Sequence, residues 1–105
     1  MEKLDFEFRG HGPSLEQHKP VLVGVVASGN LEVLMEPAPL AGNCRVAVNT
    51  AAQGFDKIWQ AVLDDFFSRH EIADVSIAIN DAGATPAVVS LRLDQALEEF
   101  QGAAP

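Results

Sequence analysis

The sequence predicts an α+β domain: a mainly antiparallel β-sheet of about five or six strands, with one long and one short helix packed on one face. Three observations lead there. Apolar residues alternate with polar ones over much of residues 4–48, the period of half-buried strands. Over residues 55–67 the spacing becomes i, i+3, i+4, i+7, i+8, i+11, i+12, the period of a helix with a wide apolar stripe. Alternation then returns at Val75, ahead of a closing helix. A chain of 105 residues without an internal repeat makes one domain, large enough to bury a single core.

Leu4, Phe6 and Phe8 alternate with Asp5, Glu7 and Arg9, which predicts a first strand. Residues 10–19 have loop composition and read as a flexible connector, so residues 1–19 are a strand plus connector and residues 20–100 the core. Residues 21–27 and 31–36 read as a hairpin joined through Gly29-Asn30, a dipeptide suited to a two-residue turn because glycine tolerates positive φ. That register sets Ser28 opposite Leu31, Val26 opposite Val33 and Gly24 opposite Met35, and gives one face Leu22, Val26, Val33 and Met35. Ser28 then lies at the hairpin tip with an exposed hydroxyl. Prolines in residues 37–43 end the strand. Cys44, Val46 and Val48 make another, expected to pair with the second arm of the hairpin.

The helix that follows uses Phe55, Ile58, Trp59, Val62, Leu63, Phe66 and Phe67, with Asp56 in its first turn and Arg69 and His70 in its last, the signs that suit the macrodipole. Val75, Ile77 and Ile79 predict a short strand, and residues 80–86 a turn. Residues 88–93 read as a last strand with Val89, Leu91 and Leu93 inward. Asp94 is expected to cap a short helix through Phe100, leaving residues 101–105 as a frayed tail.

A formal charge of −8 argues against nucleic acid and anionic membranes, which bind through Lys and Arg. One cysteine excludes a disulfide framework. Residues 1–20 hold Glu2, Lys3, Asp5, Glu7 and Arg9 with no apolar signal region, so the expected location is the cytoplasm. His11, His18 and His70 lack partners at metal-binding spacing and read as solvated. Asp64 and Asp65 are adjacent on a helix and do not face each other; with Glu71 and Asp74 they read as a wet face. Cys44 shares a face with Val46 and Val48 and reads as core. Neither a P-loop nor a nucleophile elbow occurs. The physical features point away from a self-sufficient enzyme and toward a small acidic carrier or docking module that presents Ser28.

GVVASGNLEVLMEP, FDKIWQAVLDDFF and NDAGATPAVVSLRLDQALEE together resemble the acyl carrier (delta) subunits of bacterial malonate decarboxylase and, more distantly, the acyl carrier subunit of citrate lyase. The most specific pieces are Ser28-Gly29 followed by Leu31-Glu32-Val33-Leu34, and Gly83-Ala84-Thr85-Pro86. The resemblance implies a non-catalytic subunit whose prosthetic group, 2'-(5''-phosphoribosyl)-3'-dephospho-CoA, is joined by a phosphodiester to Ser28, with Gly29 clearing the approach. Its thiol would hold acetyl and malonyl groups as thioesters. An acetyl/malonyl transferase subunit would exchange acetyl for malonyl, decarboxylase subunits would release carbon dioxide, and a prosthetic-group transferase would attach the arm. Members often have aspartate after Ser-Gly; Asn30 stands here and is expected to be tolerated. The rival readings are a citrate lyase carrier and an unmodified acidic adaptor.

Overall fold

The computed structural model describes residues 1–102. Among them the chain runs β1 (Glu2–Phe8), β2 (Val21–Gly24), β3 (Leu31–Pro37), β4 (Cys44–Thr50), α1 (Asp56–Arg69), β5 (Val75–Asp81) and α2 (Pro86–Gly102). The strands form one sheet in the order β1-β4-β5-β3-β2. Neighbours are antiparallel except β4 and β5, which run parallel with α1 between them in sequence. Val33 and Met35, Val46 and Val48, and Ile77 and Ile79 are buried, while the residues between them are half-buried or exposed. Both helices therefore cover one face of the sheet and the other stays wet. The predicted fold class is the observed one.

The strand order and the second helix differ from expectation. Strand β4 does not pair with β3, because β5 lies between them. Two parallel strands joined by a helix pair side by side, and β5, whose core face is Val75, Ile77 and Ile79, takes the centre where both edges are bonded. Residues 88–93 are not a strand but the start of α2, which at 17 residues is longer than the 14-residue α1. Val89, Leu93, Ala96, Leu97 and Phe100 are buried at helical spacing. A strand over 88–93 would bury three large side chains and strand Phe100 on a separate turn. Each large apolar side chain buried contributes about 1.5–3 kcal/mol, whereas a β-branched residue in a helix costs only about 0.7 kcal/mol or less. The long helix wins, and Leu91, expected in the core, is exposed.

The start of α2 explains the Gly-Ala-Thr-Pro run. Gly83 takes φ 88°, the Thr85 hydroxyl accepts the Val88 N–H at 3.4 Å as an N-cap, and Pro86 occupies the first helical position. Asp94, expected as a cap, lies mid-helix and holds Arg69 at 3.1 Å and His70 Nε2 at 3.1 Å. The helix continues through Gln101 and Gly102, where a frayed tail was expected; residues 103–105 of that tail lie outside the described residues.

Residues 10–19 are docked rather than loose. The His11 and Leu15 N–H groups donate to Ile72 and Ala73 at 3.0 and 2.9 Å, and Leu15 is buried. The anchor is Asp74, whose φ of 61° lies in a region that Asp enters more readily than most residues. Its carboxylate accepts the Ser14 hydroxyl at 2.6 Å and the N–H groups of Gly42 and Leu40 at 2.8 and 3.1 Å. Three loops meet on one side chain. The Ser14 hydroxyl first, then the Gly42 and Leu40 N–H groups, hold the Asp74 carboxyl below the usual carboxylate range.

A group whose pKa is lowered by folding stabilises the fold above its unfolded value and loses that contribution as pH falls through the folded one. Asp74→Asn, which keeps the backbone tolerance, is expected to lower the melting temperature at pH 7. The difference from wild type should be full above about pH 4 and close on further acidification. Thermal unfolding of both proteins from neutral to acid pH checks this; a difference that persists undiminished in acid would contradict it.

Candidate functional site

The site forms where β2 leaves the sheet. β2 and β3 pair as Val21↔Met35, Leu22↔Leu34, Val23↔Val33 and Gly24↔Glu32, three positions away from the register that a two-residue turn would impose. An odd shift exchanges the faces of a strand. Val21 is accordingly buried, while Leu22 and Val26, expected in the core, are 56% and 55% exposed. The cause is Gly24. It adopts φ 87°, and a side chain there would run into the Leu31 carbonyl oxygen. Glycine within a strand marks such a close backbone approach, and the chain turns off at this point into a loop over residues 25–30.

That loop is held at its far end. The Asn30 N–H donates to the Ala27 carbonyl at 2.8 Å, closing a turn with Ser28 and Gly29 at its centre. Gly29 has φ 75° and Ser28 does not have positive φ, the signature of a type II turn, whose third residue is best served by glycine. The Gly29 N–H also donates to the Ala82 carbonyl at 2.8 Å, and the Ala82 N–H to the Asn30 carbonyl at 2.9 Å. Two residues thus oppose one beyond the last paired position, Leu31↔Asp81, as in a β-bulge led by glycine. Ser28 stands one residue before this bulge. It is exposed, and among the described residues its hydroxyl makes no hydrogen bond. The presentation expected of Ser28 is present, on a six-residue loop rather than a hairpin tip.

Ala82 is itself fixed by Asp81. This buried carboxylate accepts the Thr50 hydroxyl at 2.9 Å and the N–H groups of Ala84 and Gly83 at 2.9 and 3.2 Å. On the other side of the 82–84 loop an apolar groove of about 180 Å³ runs between the first turns of α1 and α2, lined by Phe55, Ile58, Trp59 and Val89 among others. Phe55 and Ile58, predicted on the core stripe of α1, line it and are 46% and 44% exposed. From α2, Arg92 reaches back across Gly24: its Nε donates to Asn30 Oδ1 at 3.1 Å, the atom that also accepts the Leu31 N–H at 2.8 Å.

The other candidates gather no site. Asp64 and Asp65 are exposed and serve Gln60 and Arg69. His11 is exposed; His18 and His70 are not simply solvated, since His18 lies against Phe100 and His70 bonds Asp94. Among the described residues no group of three or more His, Cys, Asp or Glu could hold a metal ion, and no helix is long and apolar enough to cross a membrane. Cys44 is buried, and burial pushes its thiol above the ordinary range. Sequence reasoning missed Gly24, Asp81 and Arg92. Asp81-Ala82-Gly83 carried a readable turn signal; Arg92 carried none, because its role depends on how α2 crosses the sheet.

The family profile described as Malonate decarboxylase delta subunit (MdcD) matches residues 18–100. A malonate decarboxylase acyl carrier protein of Stenotrophomonas maltophilia is 58% identical over 105 residues, all of this chain and 99% of its own. One of Xanthomonas euvesicatoria is 60% identical over 103 residues, covering 98% of each. Among solved structures, a chain of a Pseudomonas malonate decarboxylase hetero-tetramer in complex with malonate superposes with a TM-score of 0.85 at 41% identity, over 95% of this chain and 99% of that one.

The two glycines at the ends of the loop should respond differently to alanine. A side chain on Gly29 meets open space, so Gly29→Ala is expected to cost only the left-handed backbone, about 1 kcal/mol. Gly24→Ala adds a collision with Leu31 to the same backbone cost and should destabilise more. Chemical denaturation of both variants measures the difference; equal losses would contradict the close approach at Gly24.

Proposed function

The chain belongs to the malonate decarboxylase delta-subunit family of acyl carrier proteins, and on that footing we propose that Ser28 is the residue on which it carries phosphoribosyl-dephospho-coenzyme A through a phosphodiester. When bound, the group supplies a thiol at the end of a long arm that can carry acetyl and malonyl groups as thioesters. The observation that supports this reading is the geometry around Ser28: an exposed, unbonded hydroxyl on a turn tied down by Ala82.

What this chain contributes is attachment and direction. Ser28 offers its oxygen. Gly29 holds the turn open to approach: apart from its two chain neighbours, no atom lies within 4 Å of where a side chain would begin. The loop over residues 25–30 contains no acidic side chain to repel an incoming anion, and Arg92 at its neck supplies a cation. These features fit a phosphodiester. Val25, Val26 and Leu22 lie exposed on the loop and the adjoining strand, an apolar surround that an attaching transferase, an acetyl/malonyl transferase subunit and decarboxylase subunits could each press against. The carrier raises the effective concentration of its load at each partner in turn. This work takes place in the cytoplasm.

Intact-mass measurement of the protein from its native host, with mapping of the peptide spanning residues 21–36, tests the reading. The expected result is a mass increase matching the prosthetic group, located on Ser28 and absent from Ser28→Ala. Because Cys44 is buried with a raised pKa, thiol reagents should label the native loaded protein once, on the arm, and the native unloaded protein not at all. An unmodified chain within an active complex would overturn the proposal and leave an acidic adaptor.

A further inference from the structure

Resting on that reading of Ser28, we infer that Arg92 is the positioning residue for the phosphodiester, its guanidinium supplying the counter-charge at the neck of the loop. Arg92 is half-buried on α2 and packs its stem against the space left by Gly24, where an added Cβ would lie 3.5 Å from its Cδ. Nε donates to Asn30 Oδ1 at 3.1 Å and Nη1 to Gln95 Oε1 at 2.9 Å. Both acceptors are neutral amides. Asp94, two positions along the same helix, is engaged by Arg69 and His70, and among the described residues no carboxylate pairs with Arg92.

A cation that is part-buried and unpaired is not required for holding the turn. Asn30 Oδ1 already accepts the Leu31 N–H at 2.8 Å, and a neutral donor could supply its second bond. The charge is therefore surplus to the fold and stands against the residue that closes the Ser28 turn. Arginine suits this task because its fixed fork of donors matches phosphate oxygens. Nη2 and the remaining N–H of Nη1 are the donors left to meet an anion on Ser28. The chain carries 15 acidic residues against 7 basic ones, so an anionic arm placed without a local cation would face a repulsive field. Arg92 offsets that field at the point of attachment and biases the arm's first bonds toward the α2 side of the loop.

The test compares unloaded and loaded protein, with loading verified by intact mass, for wild type, Arg92→Gln and Arg92→Lys. Arg92→Gln retains a donor for Asn30 but removes the charge. Loading is expected to raise the melting temperature of wild type by roughly 3 °C at low salt, less at high salt, and not at all in Arg92→Gln; Arg92→Lys should keep part of the rise. The 31P resonance of the loaded protein should move between wild type and Arg92→Gln. Equal rises in wild type and Arg92→Gln with an unmoved resonance would reduce Arg92 to a brace for the turn and overturn the inference. Should Arg92→Gln not fold, a loading-induced rise in wild type that is insensitive to salt overturns it equally. A wild-type chain that never gains mass on Ser28 instead overturns the attachment reading, a separate outcome.

Discussion

The reciprocal hydrogen bonds between Ala82 and the Gly29–Asn30 bulge are the constraint on which the site depends. Without them the loop over residues 25–30 would be tied down by its own turn, by the Arg92 bond to Asn30 and by β2, a four-residue edge strand. With them, the loop becomes an extension of the β3–β5 pair, whose strands lie inside the sheet with both edges bonded. The support runs further back. Asp81 fixes the peptides of Gly83 and Ala84, and Thr50 on β4 fixes Asp81. An exposed serine is thereby referred to three strands. Each bond contributes only about 1 kcal/mol net, but a half-satisfied Asp81 would leave a buried carboxylate short of donors, which costs more than the bonds add.

Helix α2 joins stability to presentation. Its inward positions, Val89, Leu93, Ala96, Leu97 and Phe100, make much of the core. Its polar side reaches two different neighbours: Asp94 turns toward α1, and Arg92 toward the loop. The Gly-Ala-Thr-Pro run does local structural work, ending β5 and starting α2 through Gly83, Thr85 and Pro86. A run read in the sequence as a turn is thus a means of setting where α2 begins, and hence where Arg92 falls.

Much of the fold was legible in the sequence, and the failures share a cause. β1, β3, β4, β5 and α1 follow from apolar period because each buries one face locally. The periods of residues 88–93 satisfied both a strand and a helix, and only the distant Leu97 and Phe100 decide between them. The order of strands depends on the β4–α1–β5 connection, a long-range fact that alternation cannot carry. At the candidate site, the exposed turn at Ser28 and Gly29 was legible, but the register was not, because the glycine that interrupts β2 is Gly24, before the turn. Asp74 read as one acid among several on a wet face. Its burial arises from Ser14, Leu40 and Gly42, far away in sequence.

The rigidity of the turn has a consequence for a tethered load. The effective concentration of a tethered group falls roughly as the −3/2 power of tether length once the span is reached. A loose loop over residues 25–30 would add its own contour to the arm, enlarging the volume searched without extending useful reach. Fixing Asn30 and Gly29 to Ala82 removes that slack, so on the proposed attachment the tether begins at Ser28 and the flexible length is the arm's alone. The opposite end of the β3–β5 pair, at Pro37↔Val75, is closed by Asp74 and its three loops. With both ends of this central pair fixed, the proposed attachment point holds a constant position relative to the protein body. A subunit that lends no acid or base to the reaction can still affect its rate through that geometry, because position is the one variable it controls.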